Sequence, residues 1–116
     1  MLKRPKSKGR LGEWEWAEFL SERLGIKHTR MPLSGAVKGF QGDIFSPPQI
    51  PIIWEVKRTE TFHPLSAYRQ AREAIPIGSG KIAAVAWRKN NSDWCVFLTG
   101  NDFINILYAA IKGGWK

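Results

Sequence analysis

Three side chains suited to work on a phosphate ester fall within fifteen positions: Asp43, Glu55 and Lys57. They sit in Asp43-Ile44-Phe45 and Pro51-Ile52-Ile53-Trp54-Glu55-Val56-Lys57, two apolar runs split by Ser46-Pro47-Pro48. Such runs around a turn signal predict an antiparallel pair of strands. Alternate residues of a strand share a face, so Ile52, Trp54 and Val56 point one way and Ile53, Glu55 and Lys57 the other. The turn would bring Asp43 back beside Glu55. Two carboxylates at that separation repel unless a cation lies between them, and hard oxygen ligands suit Mg²⁺. Lys57 could then hold a water or a phosphate oxygen next to the metal. A bare Glu-X-Lys also occurs as an exposed ion pair on an edge strand, so the rest of the chain must decide.

The elements that would position these residues are readable. Leu11 to Leu24 has helical periodicity, and Gly25 fits a helix stop. At 100° per residue Trp16, Ala17, Leu20 and Leu24 form one stripe, which also carries Glu13, while Glu15, Glu18 and Glu22 fall on the opposite side, toward solvent. Glu13 facing inward fits either a functional contact or a first-turn carboxylate favoured by the helix dipole. Ile26 to Met31 reads as a strand, and Pro32 to Gly42, with three glycines, as a loop that could bring Ser34 close to a phosphate. After polar Thr59–Phe62, His63-Pro64 opens a helix to about Ile75, whose Ala67, Ala71 and Ala74 let it lie close to a sheet. Lys81–Trp87 and Trp94–Leu98 are apolar strands joined by a hairpin turn at 89–93, and Phe103, Ile104, Leu107, Ala110 and Ile111 mark a final amphipathic helix. Helix, three strands, helix, two strands, helix predicts a mixed α/β (α+β) domain with one central sheet.

At 116 residues, 43% hydrophobic and 24% charged, the chain is one globular domain, residues 10–116, behind a basic arm at 1–9. The net charge of +8 favours a polyanionic partner. Lys3, Arg4, Lys6 and Lys8 of the arm, with Arg10, Arg30, Lys38 and Arg58, are the candidate phosphate contacts. No apolar run approaches a membrane span and no signal-peptide pattern opens the chain, so a cytoplasmic location without membrane contact is expected. Cys95 is the single cysteine, which excludes an internal disulfide, and its apolar setting predicts a buried small hydrophobe. His28 and His63 read as surface or capping residues rather than a zinc pair. Of six tryptophans, Trp14 projects from the side of the first helix, and Trp87, Trp94 and Trp115 lie near the last elements, where they either fill the core or pack across a dimer seam.

Gly42-Asp43 with Glu55-Val56-Lys57 resembles the PD-(D/E)XK nuclease superfamily. Within it the chain is similar to archaeal-type Holliday-junction resolvases and their small phage relatives, through Lys8-Gly9…Glu13, Arg30-Met31-Pro32-Leu33-Ser34-Gly35, Asp43-Ile44 and Trp54-Glu55-Val56-Lys57. Gln70 matches a glutamine often found after the lysine in this superfamily. The likeness covers roughly the first 75 residues; beyond them only the element order agrees. Those resolvases usually carry a basic residue before Lys-Gly, where Ser7 stands here. The resemblance implies a restriction-endonuclease-like αβββαβ core and metal-dependent phosphodiester hydrolysis. It implies Mg²⁺, with Mn²⁺ substituting, bound by Asp43, Glu55, the Val56 carbonyl and Glu13. Lys57 would act on the attacking water and Ser34 on the phosphate. The implied substrate is branched DNA, cut by a homodimer in the cytoplasm of a phage host. A nickase or flap nuclease of the same superfamily, and a DNA-binding accessory protein without turnover, are the alternatives.

Overall fold

The chain builds helix α1 (Lys8–Leu24), strands β1 (Thr29–Arg30), β2 (Ile44–Phe45) and β3 (Ile52–Arg58), helix α2 (Pro64–Glu73), strands β4 (Ile82–Arg88) and β5 (Cys95–Phe97), and helix α3 (Gly100–Lys112). This is a computed structural model, and it describes residues 7–31 and 42–114. The element order and the mixed class are those predicted. The strand read over 26–31 shrinks to two residues, and α1 starts earlier than its apolar period because Ser7 caps it, its hydroxyl accepting the Arg10 N–H at 3.3 Å. Lys8 and Gly9 are therefore helical. Gly25, at φ 68°, ends the helix.

The expected pairing of 43–45 with 51–57 is replaced by another. β2 pairs antiparallel with β1, and β3 pairs in parallel with β4 over its full length, from Ile52 opposite Ile82 to Arg58 opposite Arg88. β4 then pairs antiparallel with β5. Pro47, Pro48 and Pro51 lack the N–H groups that a hairpin ladder between the two segments would use. The two sheets meet instead at one residue. Asp43 donates its N–H to the Trp54 carbonyl at 2.8 Å, and its own carbonyl accepts the Met31 N–H at 2.8 Å.

Each face of the three-stranded sheet is covered by one helix. α1 lays Trp16, Ala17 and Leu20 on Trp54, Val56, Ala84 and Ala86, with Ile44 from β2. Trp16 anchors this side, meeting Trp54 edge-on at 4.9 Å between centroids and Trp94 at 5.0 Å. α2 lays Ala67 and Ala71 on Ala83 and Val85, the close approach its small residues predicted. Trp87 stacks on Phe62 at 4.8 Å and donates its indole N–H to the Thr59 carbonyl, so Trp87 and Trp94 are both used inside the chain, whereas Trp115 lies outside the described residues.

Four expectations about single side chains need correction. Leu24 is half exposed, because the sheet ends before the last turn of α1. Cys95 is exposed, since β5 is the edge strand and nothing packs over it. His28 is buried, with Nδ1 2.8 Å from the Ile26 carbonyl oxygen and its backbone N–H donated to the Ser21 hydroxyl. Glu15 does not face solvent: its Oε1 lies 3.2 Å from Arg58 Nε and 3.6 Å from Arg88 Nη1. Gly12 makes that possible, since a Cβ there would sit 2.6 Å from the Arg58 Cβ. α1 thus settles low enough on β3 for its flank to meet the ends of β3 and β4, which a helical wheel alone does not show.

This packing sets the stability of particular positions. Gly42 has φ +78°, and a Cβ there would meet the Trp54 carbonyl oxygen at 2.6 Å, whereas Gly80 has φ +71° and open space. Gly42→Ala should therefore lose about 2 kcal/mol or more in denaturant unfolding and Gly80→Ala only about 1 kcal/mol; equal losses would remove the close approach from the explanation. Glu15→Gln should lose about 1–3 kcal/mol by leaving Arg58 and Arg88 half-buried without a counter-charge, while exposed Glu18→Gln stays within about 0.5 kcal/mol.

Candidate active site

β3 fixes the arrangement. Its alternation puts Ile53, Glu55 and Lys57 on the α2 side and Ile52, Trp54 and Val56 on the α1 side, as expected. Lys57 Nζ lies 3.3 Å from Glu55 Oε2, and both side chains are mostly sheltered. Asp43 arrives from the free edge of β3. Gly42, in the left-handed region, turns the backbone so that Asp43 can bond to Trp54. The Asp43 carboxylate then accepts the Val56 N–H on Oδ2 at 2.8 Å. A strand-edge donor that would otherwise need a further strand is satisfied by a side chain, and the same bond places a carboxylate beside Glu55.

The electrostatics of the pair are those of a site short of positive charge. Burial raises the Asp43 carboxyl above its ordinary value, while the Val56 N–H and the charges of Lys57 and Arg30 pull it back. Glu55 is pushed from 4.5 to about 7, first by burial and then by the charge of Asp43, with Glu13 adding to it. The charge and hydrogen bond of Lys57 offset part of this rise. A cation between the two carboxylates would remove both penalties. Two carboxylate oxygens, completed by waters and a phosphate oxygen, are an ordinary Mg²⁺ environment. The donor set therefore fits a hard divalent metal, with Asp43 and Glu55 as the residues to hold it.

Glu13 is buried and turned inward, as its helical phase predicted, with Oε1 3.4 Å from Arg30 Nε. Arg30 stands between two acids, pairing with Glu13 and lowering the pKa of Asp43. Among the described residues no three His, Cys, Asp or Glu side chains gather closely enough to form a metal cluster by themselves. The charge of Glu13 adds, last among the causes, to the rise of Glu55.

The candidate phosphate contacts divide into groups. Lys8 is exposed, 3.9 Å from Glu60 Oε2, and Arg10 and Gln70 are exposed. Arg30 and Arg58 are held by Glu13 and Glu15. Lys3, Arg4, Lys6, Ser34 and Lys38 lie outside the described residues. Periodicity had no means of finding Arg88, because its approach to Glu15 comes from the parallel pairing of β3 with β4. Gly42 did carry a signal, a glycine directly before the aspartate. A groove of about 690 Å³ between α1 and the β4–β5 turn, lined by Trp14, Glu15, Phe19, Arg88 and Trp94 among others, contains none of Asp43, Glu55 and Lys57. The carboxylate pair is not at the bottom of that groove.

Residues 4–113 match the family "Phage putative PDDEXK endonuclease". Over 47 residues the chain is 43% identical to Protein D14 of Escherichia phage T5, a stretch that covers 38% of this chain and 29% of that protein. No solved structure matches the chain. The family match runs well past the first 75 residues into α3, so it takes in both the Asp43…Glu55-Val56-Lys57 constellation and the elements that hold it. The chain belongs to the phage PDDEXK endonuclease family.

Proposed function

We propose that the protein is a Mg²⁺-dependent DNA endonuclease, with Mn²⁺ able to substitute, that prefers a four-way junction and works as a homodimer in the cytoplasm of a phage host. The observation that carries the nuclease reading is the half-buried Asp43–Glu55 pair with Lys57 3.3 Å from Glu55. A DNA-binding scaffold has no use for two carboxylates forced together at that electrostatic cost. The net charge of +8 supplies the attraction for the phosphate backbone. No helix of the described residues is long and apolar enough to cross a membrane. The junction preference is supported by the motif similarity around Lys8-Gly9…Glu13 and Arg30…Ser34-Gly35.

The geometry supports a role for each residue. Bound Mg²⁺ supplies charge stabilisation at the phosphate and a water of lowered pKa. Asp43 and Glu55 hold that charge in place, and the Val56 N–H keeps the Asp43 carboxylate aimed, with the Val56 carbonyl a further oxygen on the same strand. Lys57, 3.3 Å from Glu55, would orient or help deprotonate the attacking water and offset charge on the phosphorane-like transition state. Glu13 and Arg30 tune the field around Asp43 and Glu55. Exposed Lys8, Arg10 and Gln70 would grip backbone phosphate, and Lys3, Arg4, Lys6, Ser34 and Lys38, outside the described residues, would add to that grip.

Labelled four-way junction, flap, nicked and linear duplexes incubated with Mg²⁺ test this directly. Asp43→Asn and Glu55→Gln should each abolish cleavage while leaving DNA affinity within a few-fold. The amide introduced by Asp43→Asn retains an oxygen to accept the Val56 N–H, so loss of fold is not the expected cause. Wild-type cleavage rates in either variant would remove the metal site. Equal cutting of linear, flapped and branched DNA would leave the nuclease and remove the junction preference.

Stability against pH gives a second test that needs no DNA. Glu55 titrates near 7 in the folded chain against an ordinary 4.5, so the folded state holds a proton across that window and the unfolded state does not. The stabilisation is fully present below about 4.5 and is lost as pH rises through about 7, a fall on the order of 2–3 kcal/mol without metal. Glu55→Gln should remove this slope. Mg²⁺ must displace that proton, so its affinity should strengthen as pH rises through 7. Parallel pH profiles of stability for wild type and Glu55→Gln would count against the raised Glu55.

A further inference from the structure

α3 is long, well capped and uncovered. Thr99 accepts the Asp102 N–H on its hydroxyl and starts the helix properly, yet none of its residues is buried. At 100° per residue Phe103, Ile104, Leu107, Tyr108 and Ile111 lie on one stripe. Phe103 is 50% exposed, Ile104 58%, Tyr108 61% and Ile111 61%. Val96, on the edge strand β5 just before this helix, is 45% exposed. A scattered apolar residue at the surface is ordinary, but a whole apolar helical face left exposed marks an interaction surface.

Charge decides what covers it. Residues 93–111 include Asp93 and Asp102 and no Lys or Arg, in a chain with 18 of them. A polyanion finds there only Lys112, whose Nζ lies 5.4 Å over the Tyr108 ring, so this sector is a poor DNA surface. Two bodies of net charge +8 repel each other over most approaches, and this cation-poor apolar sector is where a second copy can come close. An apolar stripe needs no charged complement and meets itself across a two-fold axis, the commonest closed arrangement of identical chains. Six such side chains, at roughly 60–120 Å² of apolar area each, bury on the order of 600 Å² per copy, about the lower bound for a specific interface. Of the tryptophans that could either fill the core or meet at a seam, Trp87 lies on Phe62 and Trp94 on Trp16, and Trp115 lies outside the described residues.

We propose that the Phe103–Ile111 stripe of α3, with Val96 of β5, is the two-fold interface through which two copies of this chain associate. The inference stands on burial and charge and is independent of the catalytic reading. Sedimentation of the full chain, without DNA or metal, should give the mass of two chains at micromolar concentration. Ile104→Glu with Tyr108→Glu should weaken association at least about 100-fold, giving the mass of one chain, with a circular dichroism spectrum and melting close to wild type because neither side chain is buried. With Cys95→Ser in place, Tyr108→Cys, near the middle of the stripe, should form a disulfide-linked dimer on mild oxidation. A wild-type monomer throughout the micromolar range would overturn the proposal. So would a dimer that survives both glutamates, or association that continues to open-ended larger species. Cleavage assays report on Asp43 and Glu55 separately, so failure of the interface and failure of the nuclease reading are distinguishable.

Discussion

The structure turns on one hydrogen bond, from the Val56 N–H to the Asp43 carboxylate. β3 has β4 on one side and, on the other, a neighbour that touches it chiefly through Asp43. That residue makes a backbone bond to Trp54 and then uses its side chain on the next free donor of the strand edge. A strand edge is normally closed by another strand. Closing it with a carboxylate joins the two sheets and also delivers a negative charge to the strand that carries Glu55 and Lys57. Fold and site are therefore the same contact.

The electrostatic consequence is visible in the carboxyl groups. Burial raises Asp43, and burial together with the charge of Asp43 raises Glu55, the opposite of what acids in stabilising ion pairs show. The neighbouring acids are each set against an arginine: Glu13 with Arg30, Glu15 with Arg58 and Arg88. Glu15 locks α1 to the ends of β3 and β4, which keeps Glu13 at the right height over the sheet. At Asp43 and Glu55 positive charge is left incomplete, with Lys57 as partial compensation.

The remaining surface is divided just as unevenly. Exposed Lys8 and Arg10 open α1, while the stretch from Asp93 through α3 carries no cation until Lys112. Exposed cations and the exposed apolar stripe are thus largely separated along the chain.

The order of elements was legible in the sequence, because periods of 3.6 and 2 are local and survive in any tertiary setting. So were the shared face of Glu55 and Lys57, a consequence of strand alternation, and the inward phase of Glu13, a consequence of helical geometry. Asp43 beside Glu55 was legible too, through its spacing and the glycine before it. What the sequence left undecided were the contacts made between distant segments. Whether 43–45 pairs with 51–57 or with β1 depends on which strand edge is free, and three prolines and the β4 crossover settle that only in three dimensions. Glu15 was misplaced because a helical wheel assumes a flat sheet beneath it, whereas Gly12 lets α1 sink until its flank meets Arg58 and Arg88. Cys95 was misplaced for the converse reason, and the exposure of the correctly predicted α3 was not legible. An apolar pattern states that a face is suited to burial, and only the tertiary structure shows whether this chain supplies anything to bury it against.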